Sequence, residues 1–215
     1  MSHIIVRTDF SVSLTKENIL KQINCFEDSP IYEEVQDEYD ELEATVLGLA
    51  QPKAVVAMSH VEKDFASKVQ LEDGRVLYAI TTIGKGLSEL SDSFFKKGDY
   101  LKGMLADAMA DGCLFSMENE LMPWIKEYCK EQKIGIMHRY EAPHDIPMIS
   151  QRYAYEATKA NEKIGISITS GYMLDPVKTN CLVFGISKDM NVFHLEHDCR
   201  KCERYDCPLR TIPEV

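Results

Sequence analysis

Apolar positions along this chain follow two different periods. Compact runs rich in β-branched residues read as strands: His3 to Arg7, Ala54 to Met58, Val76 to Ile83, Ile134 to His138 and Thr179 to Ile186. The last is apolar almost throughout, as expected of a strand buried on both faces. Elsewhere apolar residues recur every three or four positions, which is the face of a helix. Ile31, Val35, Tyr39, Leu42 and Val46 form such a face, and Pro30 stands where it can open the helix. Thr15 to Asn24, Leu87 to Lys96 and Pro147 to Lys163 read the same way. So does Asp99 to about Gln132, where Leu101, Leu105, Ala108, Met117, Leu121, Trp124 and Tyr128 keep helical spacing and Pro123 predicts a kink or division. Glu72-Asp73-Gly74-Arg75 is a turn signal. Strands and helices alternate irregularly, with no repeat or low-complexity linker. The expectation is a single α+β domain over 1–192, a mixed or antiparallel twisted sheet flanked by helices, followed by a cysteine-rich tail over 193–215.

Composition narrows the range of partners. The 215 residues are 45% hydrophobic and 27% charged, ordinary globular usage. No apolar run reaches the ~18 residues of a membrane span, and the N-terminus lacks the pattern of a signal peptide. A cytoplasmic protein without membrane contact is expected. Asp plus Glu is 35 against 24 Lys plus Arg, a formal charge of −11. Nucleic-acid binding needs a basic surface, so that class of partner is excluded. The acidic excess is local: residues 27–43 hold nine acids and no base. That stretch reads either as the solvated face of an amphipathic helix or as a docking surface for a basic partner.

Little else in the chain resembles a catalytic motif. Gly84-Lys85-Gly86 precedes a helix but lacks phosphate-loop spacing, and reads as a structural turn. No G-x-S-x-G elbow or paired-histidine motif is present. Of the seven cysteines, Cys25, Cys113, Cys129 and Cys181 are scattered, as buried small hydrophobes usually are. Cys199, Cys202 and Cys207 instead form C-x2-C-x4-C with Pro208 directly after. Two intervening residues let both thiolates of a knuckle face one centre, and the third can close on it. Within 199–210, Arg200, Lys201, Arg204 and Arg210 outnumber Glu203 and Asp206, which favours thiolate, the metal-binding form. An iron–sulfur cluster is preferred on the spacing and the Cys-Pro ending, with zinc as the alternative. Either needs a fourth ligand unless a position stays open. Cys181 is the nearest remaining cysteine, and His194 and His197 are also close in sequence.

The C-terminal half resembles the activation (reactivation) domain of cobalamin-dependent methionine synthase, in particular its short standalone relatives. The segment Gly165 to Pro176, continuing Val177-Lys178-Thr179-Asn180-Cys181 to Phe184, is similar to the family's Ser-Gly-aromatic strand region. Asp107-Ala-Met-Ala-Asp111 resembles the helix that follows its threonine turn, here Thr81-Thr82-Ile83-Gly84. Arg139 to Pro147 occupies the place of the S-adenosylmethionine loop, and Cys199, Cys202, Cys207 and Arg210 match the standalone relatives' tail. The likeness covers about residues 75–210.

That resemblance implies an accessory protein for corrinoid-dependent methyl transfer. It would support reductive reactivation of cob(II)alamin on a corrinoid-binding protein or methyltransferase, with an electron donor protein. Arg139 is carried over as a cofactor contact. Pro143 and His144 stand where the family loop has Gly and Tyr, and Phe184 where a Tyr is usual. Each lost polar contact costs ~1 kcal/mol, so S-adenosylmethionine is expected to bind weakly or not at all. From a different class, the alternative is a non-catalytic interaction module with a zinc-stapled tail.

Overall fold

The computed structural model describes residues 4–197 together with Cys199, Arg200 and Cys207. Five strands make one antiparallel sheet: β1 (Ile4–Arg7), β2 (Lys53–His60), β3 (Arg75–Thr82), β4 (Gly135–Glu141) and the last, β7 (Thr179–Ser187), in the spatial order β1-β2-β3-β7-β4. A two-stranded hairpin, β5 (Ser167–Ile168) and β6 (Leu174–Asp175), leads into β7. The expected α+β class holds, with the sheet antiparallel in every paired strand.

Alternation along the strands sends side chains to two unequal layers. Ala54, Val56, Leu77, Ala79, Leu182 and Phe184 face the thicker layer. It is built from α1 (Lys16–Gln22), α2 (Tyr32–Leu49), α3 (Gly86–Lys97), α4 (Tyr100–Ser116) and α5 (Glu118–Glu131). Val55, Val76, Tyr78, Ile80, Cys181 and Val183 face the thinner layer, under α6 (Ile149–Thr158) and α7 (Ala160–Ile164). Central strands are therefore apolar on both faces, which explains the near-continuous runs in β3 and β7.

In α2, Val35, Tyr39, Leu42 and Val46 are all buried, as their spacing predicts. Ile31 is the exception: it precedes the first turn and is exposed. Part of the acidic face is engaged rather than solvated. Asp40 pairs with Lys16 of α1, while Glu38 and Glu41 hold Lys102 of α4 at 2.9 and 3.3 Å.

Two helix readings are corrected. The stretch 99–132 divides at Met117, not at Pro123. Met117 is fully buried and joins α4 to α5, whereas Pro123 lies exposed inside α5, where it removes one helical donor without ending the helix. The stretch 147–163 is likewise two helices, broken at Lys159, whose φ of 52° is left-handed. At the α3–α4 crossing Gly103 permits close approach, since a Cβ there would sit 2.8 Å from the Phe95 ring.

After β7 the chain turns back to the free margin of β4. Ile136 N donates to Val192 O at 2.8 Å and His194 N to Ile136 O at 3.0 Å, so Phe193 runs parallel to β4. Leu195 is buried against the thicker layer's core. Among the described residues, no helix is long and apolar enough to cross a membrane.

Candidate functional site

Three segments distant in sequence meet where β3 ends and β7 begins. Thr82, the last residue of β3, donates its hydroxyl to Lys178 O at 3.3 Å and accepts from Thr179 Oγ1 at 2.9 Å and from Gly84 N at 3.1 Å. Gly84 takes φ 77° in this turn, a conformation that suits glycine. Lys178 is buried, and its ammonium reaches across to α4. Nζ lies 2.9 Å from Asp107 Oδ1 and 2.7 Å from Asp111 Oδ1. Those carboxylates sit one turn apart on a single helical face. Gln22 of α1 donates to the other oxygen of Asp111 at 3.0 Å. A buried ammonium is tolerated only with such partners, so this network ties β7, α4 and α1 together. Sequence reading singled out each segment but not the pairing. The available signal was two acids four apart in a largely apolar helix.

Beside this corner, on the thinner layer's side, lies a cleft of about 540 Å³. Lys53 and Thr82, directly paired across β2 and β3, lie on one side of it. Around them stand the first turns of α3, the Ile164–Ile166 segment at the end of α7, and the Asp175–Val177 turn before β7. Gly84 and Lys85 of the glycine-flanked turn line this cleft, a location that sequence spacing gave no means of seeing.

The second corner surrounds Arg139 on β4. Its side chain is 7% exposed. Nη1 and Nη2 donate in parallel to the two oxygens of Glu118 at 2.7 Å each, and Nε donates to Glu141 Oε1 at 2.8 Å. Burial works against the guanidinium's charge, but Glu118 and Glu141 more than restore it, and its pKa is raised. The following turn closes on itself: Glu141 N donates to Asp145 Oδ2 at 2.8 Å, and Asp145 N to Glu141 O at 2.9 Å. Pro143 and His144 are exposed on it. Glu118 lies 21 residues before Arg139, and no local spacing signals their pairing.

The root of the tail reaches this same corner. His197 Nδ1 lies 3.6 Å from Glu141 Oε1. Cys199 and Cys207 are half-buried and in no disulfide, while Cys202 lies outside the described residues. Cys181 is placed in the thinner layer's core. Burial, and secondarily Glu141, pushes its thiol up to about 12, so it keeps its proton at neutral pH. Among the described residues no three His, Cys, Asp or Glu side chains are placed to hold a metal ion.

No family model matches this chain, and no curated protein does. Among solved structures, the crystal structure of the MetH reactivation domain bound to AdoHcy is similar in fold, with a TM-score of 0.62 at 13% sequence identity. The match covers 87% of this chain and 79% of that one.

Proposed function

We propose that this chain is an accessory module of the reactivation-domain kind, which docks on a separate corrinoid-carrying protein and supports the reduction of cob(II)alamin to cob(I)alamin. The observation that carries this reading is the fold likeness to the MetH reactivation domain over 87% of the chain. The convergence of Thr82, Asp107, Asp111 and Lys178 at one corner agrees with it. These residues come from the segments whose order first resembled that family.

The docking face we assign surrounds the Lys178 corner. Val177, next to Lys178, is 72% exposed, and Met104, one turn before Asp107, is also exposed, as is Tyr100 one turn further back. Large apolar side chains of this kind suit the face of a flat macrocycle and the protein around it. The ion pairs behind them hold α4 and the turn before β7 in fixed relation. The chain's own task is then positional, and the electron comes from a low-potential donor protein.

In this reading Cys199, Cys202 and Cys207 hold an iron–sulfur cluster, or zinc as the alternative. A cluster would supply a low-potential electron relay, and zinc a structural staple. Cys181 fits a fourth place poorly, because it would have to surrender both its proton and its packing against the β3 side chains. Metal content and colour of anaerobically purified protein separate the two, brown with a cluster and colourless with zinc.

S-adenosylmethionine binding is proposed to be weak or absent. Arg139 commits three donors to Glu118 and Glu141, and Pro143 has no N–H to offer. Titration calorimetry giving low-micromolar affinity would overturn that part. The central test mixes the metal-loaded protein with a corrinoid protein from its own source and a low-potential donor, and follows the cob(II)alamin absorbance. Complex formation with faster loss of the cob(II)alamin spectrum supports the reading. No complex and no spectral change would reject it.

A further inference from the structure

The docking reading takes only Val177 from the cleft beside Thr82. We propose that this cleft is a binding site for a small zwitterion, an α-amino acid with an apolar side chain. Apart from Val177, which the docking face shares, the assignment stands on its own and rests on the groups that line the space.

The volume of about 540 Å³ is in the range of small-molecule sites. Its charges are mixed, with Lys53 and Lys85 against Glu89, Asp92 and Asp175. Some are already engaged. Lys85 Nζ pairs with Glu89 at 2.9 Å, and Asp175 Oδ2 accepts from Ser167 Oγ at 3.2 Å. Among the described residues Lys53 and Asp92 have no ion-pair partner. Ser88 Oγ, on the α3 side, is buried with no hydrogen-bond partner there. What remains for a ligand is the Lys53 ammonium, the Asp92 carboxylate and the Ser88 hydroxyl, with the Gln51 side-chain amide beside them.

Those groups select by charge. A phosphate or nucleotide would bring two or more negative charges to a cleft whose own acids outnumber its bases, so the Gly84-Lys85-Gly86 turn does not make a phosphate site. A zwitterion meets no such penalty. Its carboxylate complements Lys53 with a further donor in the Ser88 hydroxyl, and its ammonium complements Asp92. Ile164, Ile166 and Val177 supply an apolar surface for the side chain. A single amino acid fills only part of the space, and the remainder stays open to water.

The test uses the full chain, isotope-labelled, titrated with L-leucine and with L-methionine while amide shifts are read by NMR. Saturable shifts confined to residues 51–53, 82–92, 164–166 and 175–177 are expected. Lys53→Met and Asp92→Asn should each weaken binding about tenfold. Val177→Asp, at an exposed position where folding is not at stake, should weaken it as well by removing apolar surface. Inorganic pyrophosphate should give no saturable shift. Absence of saturable amino-acid shifts up to about 10 mM would overturn the proposal, since weaker binding is below ~3 kcal/mol and has no selectivity to speak of. Preferential pyrophosphate binding would overturn it too, by showing that the cleft selects anions.

Discussion

Arg139 and Lys178 solve the same problem in different ways. Each is a cation buried near a strand end, each has two carboxylates, and each fastens a helix of the thicker layer to the sheet. Arg139 does it with a planar fork: two parallel 2.7 Å bonds to Glu118 fix the angle as well as the distance between α5 and β4. Lys178 does it with a point charge shared between Asp107 and Asp111. The surroundings differ as well. Glu118 is 27% exposed, whereas Asp107 is 53% exposed and half in water. The first corner is set mainly by geometry and the second mainly by charge. The second should therefore tolerate disturbance better, which suits a face that must adapt to a partner.

The largest effect should come from Arg139→Met, which leaves Glu118 and Glu141 facing each other without a cation. Breaking a buried pair by removing one partner costs about 3–5 kcal/mol, to be read from urea denaturation. Arg139→Lys keeps the charge and loses the fork, so it should recover no more than about half of that loss. A fully stable Arg139→Lys protein would erase the distinction between the corners. Lys178→Met should cost less, about 1–2 kcal/mol, because Asp107 can turn to water. Adding Asp111→Asn to Lys178→Met should restore part of the loss, and a strictly additive double mutant would show that the two do not act together.

A smaller effect is expected at high pH. Burial pushes the thiols of Cys113 up to about 11 and of Cys129 and Cys181 up to about 12. A raised folded value means that the stability is fully present below the ordinary thiol value of 9.0 and is lost as pH rises toward the folded values. Circular dichroism followed from pH 8 upward should show that loss, and Cys181→Val should reduce it. An unchanged alkaline profile in that variant would mean Cys181 contributes nothing to it. Smallest of all for the fold is Cys199→Ser with Cys202→Ser and Cys207→Ser. Stability should change by less than about 0.5 kcal/mol while bound iron or zinc disappears. Unchanged metal content in the triple variant would remove the tail from the proposed function.

What was legible in the sequence follows from what is local. The five sheet strands and the buried stripe of α2 are written in periodicity, and periodicity placed them. The break at Lys159 is not, because a lysine carries no sign that tertiary packing will hold it left-handed with Ala160 and Ile164 buried just beyond. Pro123 misled for the opposite reason: a strong local signal was absorbed inside α5, where one missing donor is tolerated. At the corners the sequence offered Arg139 but not Glu118, and Lys178 and Asp111 without their bond. These pairs span 21 and 67 residues, and only the fold sets their register.

The return of residues 192–194 along β4 bears on self-association. A sheet margin with unpaired N–H and C=O groups recruits strands from other molecules. Here the bonds at Ile136 occupy part of that margin with the protein's own backbone, and His197 reaches Glu141 at its far end. At the opposite margin β1 spans four of the described residues, a short template. The segment that leads to the cysteines thus also guards one side of the sheet. Anything that draws it away, a partner or a metal bound in a different geometry, would open β4 to pairing with a foreign strand.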